Sequence, residues 1–227
     1  MRGLFVTGTD TGVGKTVLAA SIAAALRARG ERVAAVKPVV TGLEDPPDPA
    51  WPAPADHELL AAATGCAPAE VTALTFAPPL SPHLAAELAG SQIQPAALVM
   101  AARAAGARAS VLVAEGVGGL LVPLTPGYLV RDYAVELGLP LVVAARPGLG
   151  TINHTLLTLE AARAAGLTVA GVVLTPWPAQ PGAALASNRA TIEALGRVEV
   201  AGLPAVGPAV AELAAAGATL PLERWIS

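Results

Sequence analysis

Aromatic residues make up only 3% of this 227-residue chain, so any core it forms must be aliphatic, built mostly of Ala, Val and Leu. Charged residues are also few, at 14%, and the net charge is −3. Lys and Arg are scattered along the sequence rather than striped, and a surface that tracks nucleic acid needs a concentrated positive footprint, so nucleic acid is not an expected partner. Low charge together with 54% hydrophobic residues also excludes a disordered chain. Cys66 is the only cysteine. It can form no intramolecular disulfide and has no His or Cys neighbour at metal-ligand spacing, which suits a reducing, cytoplasmic setting. No basic segment followed by an apolar run precedes Phe5, so a secretory leader is not expected. The longest uncharged run, residues 164–187, is broken by Pro176, Pro178 and Pro181, which argues against a membrane helix. The length accommodates one sizeable α/β core, and a single domain over residues 1–227 is expected.

The most informative stretch is Gly8-Thr9-Asp10-Thr11-Gly12-Val13-Gly14-Lys15-Thr16. An apolar run, Leu4-Phe5-Val6, precedes it, and a segment rich in helix formers, residues 17–26, follows. Strand, tight loop and helix in that order can turn main-chain N–H groups around phosphate oxygens while the helix N-terminus adds a favourable dipole. Lys15 offers a point charge to the outer phosphates, and the Thr16 hydroxyl can hold the magnesium ion that accompanies a nucleotide. The usual pattern places glycine where Thr9 stands, and this chain has Gly8 one residue earlier. A Gly-rich turn that binds nothing would need neither the Gly-Lys-Thr ending nor the preceding buried strand.

Four further short apolar runs, at residues 33–36, 111–114, 141–145 and 169–174, read as buried strands, and helical segments alternate with them. Expected helices cover residues 58–63, 84–88, 94–105, 132–137, 151–165 and 183–195, with a last ordered stretch near 202–206. Alternation of this kind predicts a doubly wound, mainly parallel sheet flanked by helices, an α/β fold like that of P-loop NTPases. Five prolines between residues 44 and 55 make that segment a surface loop.

In open parallel sheets, ligands bind at the carboxyl ends of strands, and two charged residues fall there. Lys37 follows the second strand; it either converges with Lys15 on one anion or is a solvated lysine ending a strand. Glu115 ends the third strand and leads into Gly116-Val117-Gly118-Gly119. A carboxylate there can hold magnesium, directly or through water, and the glycines let backbone approach a ligand; the plainer alternative is a glutamate in a hairpin turn. Residues 120–123 alternate too poorly for a clean return strand. Asp56 is either the N-cap of the helix over 58–63 or a magnesium ligand. Gly150-Thr151-Ile152-Asn153 opens a helix whose free N–H groups can take a carboxylate, although a simple cap would look the same. His83 has no visible partner and reads as structural.

Taken together, the loop from Gly8 to Thr16, Lys37-Pro38-Val39-Val40-Thr41-Gly42, Ser81-Pro82-His83, Glu115-Gly116-Val117-Gly118-Gly119 and Gly150-Thr151-Ile152-Asn153-His154 resemble dethiobiotin synthetases. The resemblance thins before Asp56 and after Gly182. It implies an ATP- and Mg²⁺-dependent cyclo-ligase that makes dethiobiotin from 7,8-diaminopelargonic acid and CO2 by way of a carbamate and a carbamic-phosphoric anhydride. By the family pattern Lys37 is catalytic, with Lys15 and Thr11 beside it. Thr16, Asp56 and Glu115 hold the metal. The nucleotide runs along Gly12, Val13, Gly14, Lys15, Thr16 and Val17, then past Asp56, Glu115, Gly116, Val117 and Gly118, with its base near Thr175, Pro176, Leu203, Pro204 and Ala205. Thr11 and Thr41 hydrogen-bond the substrate, and Gly150, Thr151, Ile152 and Asn153 receive its carboxylate across a homodimer interface.

This chain departs from the pattern in three places. Gly12 replaces an acidic residue of some relatives. Thr175-Pro176 stands where several carry Asn-Asp for the base, and proline has no N–H to offer. The loop before Asp56 leaves Asp45 and Asp48 as alternative metal ligands. Two other functions share parts of this signature. ATP switches that position plasmids or division sites carry a second lysine where this chain has Asp10. Amide-forming synthetases usually bring a glutaminase domain with a nucleophilic cysteine.

Overall fold

The computed structural model describes residues 1–45 and 54–226. In chain order the elements are β1 (Gly3–Gly8), α1 (Lys15–Ala28), β2 (Val33–Val36), α2 (Asp56–Thr64), α3 (Pro68–Val71), α4 (Pro82–Leu88), α5 (Pro95–Ala107), β3 (Val111–Gly119), β4 (Pro123–Thr125) and β5 (Tyr128–Leu129). There follow α6 (Val130–Leu137), β6 (Leu141–Ala145), α7 (Thr151–Ala164), β7 (Val169–Leu174), α8 (Ala183–Gly196), β8 (Val200–Gly202), α9 (Val210–Gly217) and α10 (Leu222–Trp225).

Six strands form one sheet in the order β2-β3-β1-β6-β7-β8. Every pairing in it is parallel. From β1 the chain winds first toward β2 and β3, then to the other side through β6, β7 and β8. The topological switch point therefore lies at β1, and a ligand crevice is expected off its carboxyl end, where the Gly-rich loop begins.

Side chains alternate across the sheet and build two apolar layers. Leu4, Val6, Ala35, Val111, Val113, Val142, Ala144 and Val173 face the layer of α1, α2 and α9. Phe5, Val36, Leu112, Ala114, Leu141, Val143, Val172 and Leu174 face the layer of α5, α6, α7 and α8. Strands buried on both faces read as unbroken apolar runs, which is why the sequence shows them so clearly. No helix among the described residues is long and apolar enough to cross a membrane.

Several expectations need correction. β4 and β5 pair antiparallel in a small separate hairpin, so the chain after β3 does form a strand, though not one that returns along β3. Helices α3, α9 and α10 were not anticipated. The last two end in short turns without caps recognisable from sequence, yet α9 covers α1 and Trp225 of α10 packs on Gly171. Asp56 is the first residue of α2, not its N-cap. Ala55 takes the N-cap position, and its main-chain N–H donates to Glu58 Oε2 at 3.0 Å. Asp48 lies outside the described residues.

Helix α1 is buried from Leu18 to Leu26. Its run of alanines, with Ser21, lets both the sheet and α9 approach closely. A methyl at Gly217 would sit 2.0 Å from the Ser21 carbonyl oxygen and 3.0 Å from Ala25 Cβ, so the α1–α9 crossing depends on that missing side chain. Gly→Ala in a helix ordinarily stabilises by up to about 1 kcal/mol. Here the forced displacement outweighs it, and Gly217→Ala is expected to cost about 1–3 kcal/mol net, read as a lower urea midpoint at unchanged m-value.

Candidate active site

The register of the sheet explains the site. β2 and β3 pair Val36 with Ala114, so the next residues, Lys37 and Glu115, emerge side by side at the carboxyl edge. Both continue the parity of Ala35 and Val113, so both side chains face the α1 layer, where Thr16 stands in the first helical turn. α2 packs in the same layer and starts with Asp56. Four elements thus bring four polar side chains together without any of them lying near another in sequence.

Lys37 Nζ donates to Glu115 Oε1 at 2.6 Å and to Asp56 Oδ2. The Thr16 hydroxyl donates to the same Glu115 Oε1 at 2.8 Å. Glu115 is fully buried and Lys37 is 4% exposed, whereas the Asp56 side chain, 45% exposed, forms the mouth. Glu115 Oε2 is buried without a hydrogen-bond partner. Lys15 bends back, and its Nζ donates to the main-chain oxygen of Asp10 at 2.9 Å.

Charge and burial oppose each other here. Burial works against the Lys37 charge, but Glu115 and Asp56 outweigh it and hold the ammonium well above the usual lysine range. Lys15 has no such pair of partners, so burial pulls it below that range. Burial also raises Asp56, yet Lys37, Thr16 and Lys15 together bring it below the usual carboxylate value. Glu115, deepest of all, is pushed up by burial against the pull of Lys37, with Asp56 adding repulsion.

The loop itself is shaped by close approach. A side chain at Gly8 would come within 2.7 Å of Val13 Cγ2 and 2.9 Å of Lys15 Cγ, so the loop folds back over that α-carbon. Glycine is needed at the end of β1, which accounts for its place one residue before the usual pattern. Thr9 instead donates its N–H to the Ala144 oxygen at 3.0 Å. Thr11, with Gly8, Thr9 and Asp10, lines a cleft of about 610 Å³ whose other walls are residues 119–123 and His154, Leu157, Thr158 and Ala161 of α7.

Placement of the remaining expected residues is uneven. Thr175 packs beside the loop: a methyl at Gly14 would lie 2.8 Å from its Cγ2. The Thr175-Pro176 peptide is cis. The strand β8 segment runs alongside it, with Trp177 N–H donating to the Leu203 oxygen at 2.7 Å. The Leu203 side chain is wholly in the core, while Pro204 and Ala205 are exposed. At Gly116 the missing side chain makes room for Val130 and the Phe5 ring. Gly118 does border the loop, its α-carbon facing Thr11 and Val122. Thr41 is half-buried just beyond the bridge between Val40 and Thr75. In α7 the Thr151 hydroxyl meets Thr155, the Thr151 N–H donates to the Gly148 oxygen at 3.2 Å, Ile152 leans into the core, and Asn153 is exposed. Asp45 is exposed, and Asp56 rather than Asp45 meets Lys37.

One signal in the composition went unread. The chain has two lysines and twelve arginines. Both lysines are in this cluster.

A family model described as an AAA domain matches residues 2–208. The ATP-dependent dethiobiotin synthetase BioD of Anaeromyxobacter sp. (strain K) is 49% identical over 176 residues, 77% of this chain and 76% of that protein. Its namesake from Mycobacterium avium (strain 104) is 42% identical over 224 residues, 96% of this chain and 95% of that one. The chain belongs to the dethiobiotin synthetase family. A further member, from Mycobacterium sp. (strain KMS), is 40% identical over 100% of this chain and 99% of its own. Among solved structures, the Pyrococcus furiosus cell division ATPase MinD superposes with a TM-score of 0.55 at 19% identity, covering 96% of this chain and 89% of its own. A ParA family ATPase from Chlorobium tepidum TLS gives 0.52 at 12% identity, covering 98% and 93%. The synthetase family thus shares the fold of these P-loop ATPases.

Removing the one cation from between two carboxylates should be costly. Lys37→Met is expected to lose about 3–5 kcal/mol of stability, and adding Glu115→Gln should recover much of it, both read by urea unfolding without nucleotide or metal.

Proposed function

We propose that this chain is an ATP-dependent dethiobiotin synthetase, a single P-loop NTPase-like domain that joins CO2 to 7,8-diaminopelargonic acid and closes the ureido ring, releasing ADP and phosphate. The observation that carries this reading is the convergence of Lys15, Lys37, Thr16, Asp56 and Glu115 at the switch point of the sheet, in a member of this family.

The chemistry needs positive charge around two anions. One amine of the substrate adds to CO2, losing a proton, to give a carbamate. A carbamate oxygen then attacks the γ-phosphorus as the bond to ADP breaks. The second amine attacks the carbonyl carbon of the resulting anhydride, the ring closes and phosphate leaves. Carbamate and triphosphate repel each other, so Lys37 from one side and Lys15 from the other bring them together and stabilise the transferring phosphoryl group. The N–H groups of Gly12 to Val17 cradle the phosphates. Thr11, on the wall of the cleft, and Thr41 orient the diamine. Thr175, Pro176, Leu203, Pro204 and Ala205 flank the base, the last three through backbone or through the exposed Pro204 and Ala205.

The residues fit magnesium. Thr16, Asp56 and Glu115 offer only oxygen donors, which this hard cation prefers, and Glu115 Oε2 has no other partner. Among the described residues no group of three or more His, Cys, Asp or Glu gathers. That suits an ion which keeps waters and completes its shell with substrate phosphates. When bound, it would neutralise charge on the β- and γ-phosphate oxygens.

A homodimer accords with the surface. Leu149 just before α7 is wholly exposed, and Leu121 and Leu157 beside the cleft are largely so. A second copy covering them would bring the Gly150–Asn153 turn of one subunit to the cleft of the other, where its N–H groups receive the substrate carboxylate. The setting is cytoplasmic, with small-molecule partners only.

The decisive assay follows phosphate release from Mg²⁺-ATP and bicarbonate with and without 7,8-diaminopelargonic acid, with the product identified by mass spectrometry. Release that needs the diamine and yields dethiobiotin is expected; slow release indifferent to it would overturn the reading in favour of an ATP switch. Lys37→Ala should abolish turnover while leaving nucleotide binding largely intact. Thr16→Val should weaken binding of Mg²⁺-ATP far more than of metal-free ATP, measured by calorimetry.

A further inference from the structure

The Lys37 ammonium occupies the place between Asp56 and Glu115 where the proposed metal site has its charge. Its nitrogen is 2.6 Å from Glu115 Oε1. Magnesium binds carboxylate oxygen at about 2.0–2.1 Å, so an ion held on Asp56 and Glu115 would stand within a few ångströms of the ammonium. Mutual repulsion at such a separation, in a buried site, favours moving the lysine off the carboxylates. Lys37 is also free to leave. Its main chain is fixed at the end of β2, with its N–H on the Val71 oxygen at 2.9 Å, but the four-carbon stem is flexible.

We propose that Lys37 is a resident stand-in for the metal, displaced from Asp56 and Glu115 when the metal binds and only then free to meet the anionic substrate. This rests on the reading that Asp56 and Glu115 hold the metal. Without metal the cluster neutralises itself: Lys37 lies on the two carboxylates, and Lys15 lies on the Asp10 carbonyl. Arrival of the metal thus releases the Lys37 ammonium toward the substrate. The apparent affinity for the metal is lowered by the fraction of sites that Lys37 holds.

The two-lysine composition makes the test direct. In protein labelled with ¹⁵N-lysine, only Lys15 and Lys37 give side-chain ammonium signals, assigned with Lys15→Met and Lys37→Met. A non-hydrolysable ATP analogue is bound to saturation first with EDTA and then with Mg²⁺. The expected result is a Lys37 signal that stays as in the free protein with the analogue alone and shifts or exchanges away only with Mg²⁺. A Lys37 signal unmoved by saturating Mg²⁺ would overturn the displacement. Mn²⁺ binding without nucleotide, followed by electron paramagnetic resonance, should tighten about tenfold or more in Lys37→Met and much less in Lys15→Met. Equal tightening in both would mean diffuse electrostatics and would also overturn it. Asp56→Asn and Glu115→Gln separate the two ideas. If neither weakens Mg²⁺-dependent analogue binding, the metal-site reading itself fails; if both do while the Lys37 signal stands still, only the displacement fails.

Discussion

One ammonium shared by two carboxylates organises the catalytic end of this molecule. Lys37 lies between Asp56, at the mouth, and Glu115, which no solvent reaches. Burying such charges costs several kcal/mol per ion unless partners and hydrogen bonds compensate, and this cluster compensates incompletely, since Glu115 Oε2 remains unpartnered. An apolar core of the same shape would be more stable. A cluster of this kind at the carboxyl edge of a parallel sheet, beside the Gly-rich loop, is characteristic of functional sites.

The scaffold sustains that cost through shape. Alternation along β2 and β3 puts Lys37 and Glu115 on one face, and the position of α1 on that face brings Thr16 to Glu115 at 2.8 Å. α1 in turn is fixed by the sheet below and by α9 above, whose close approach at Gly217 leaves it no room to slide. A displacement of α1 by a fraction of a turn would move Thr16 and the whole loop together. Helix α9, distant in sequence, therefore takes part in setting the position of the Gly-rich loop.

Much of this was legible because it depends on local pattern. Continuous apolar runs such as Val111 to Ala114 reveal strands buried on both faces, and their charged C-terminal neighbours point at the site. Lys37 and Glu115 were found that way, and Lys15 and Thr16 by the Gly-Lys-Thr ending of the loop. Asp56 was ambiguous, since a carboxylate at a helix start serves as a cap or a ligand equally well in sequence. Only the fold shows Ala55 at the cap position and Asp56 on Lys37. At Gly116 the fold shows a neighbouring side chain, the Phe5 ring, against the glycine, which sequence alone does not reveal. α9 and α10 escaped notice because their Ala-rich and very short segments carry weak periodicity and no caps. The restriction of lysine to two positions was visible throughout, yet it acquires meaning only when both are seen in one cluster.

The likeness to MinD and ParA family ATPases sharpens what the fold alone can say. The shared fold by itself does not distinguish a switch from a synthetase. What distinguishes them must lie where strands other than β1 end, because those edges face whatever accepts the phosphoryl group. Here they present Lys37, Thr41 and the cleft of about 610 Å³ walled by residues 119–123 and α7. A cleft of that size beside the loop has room for a small second substrate. A nucleotide switch that only opens and closes on its phosphate needs no such space, so the cleft favours chemistry on a second molecule.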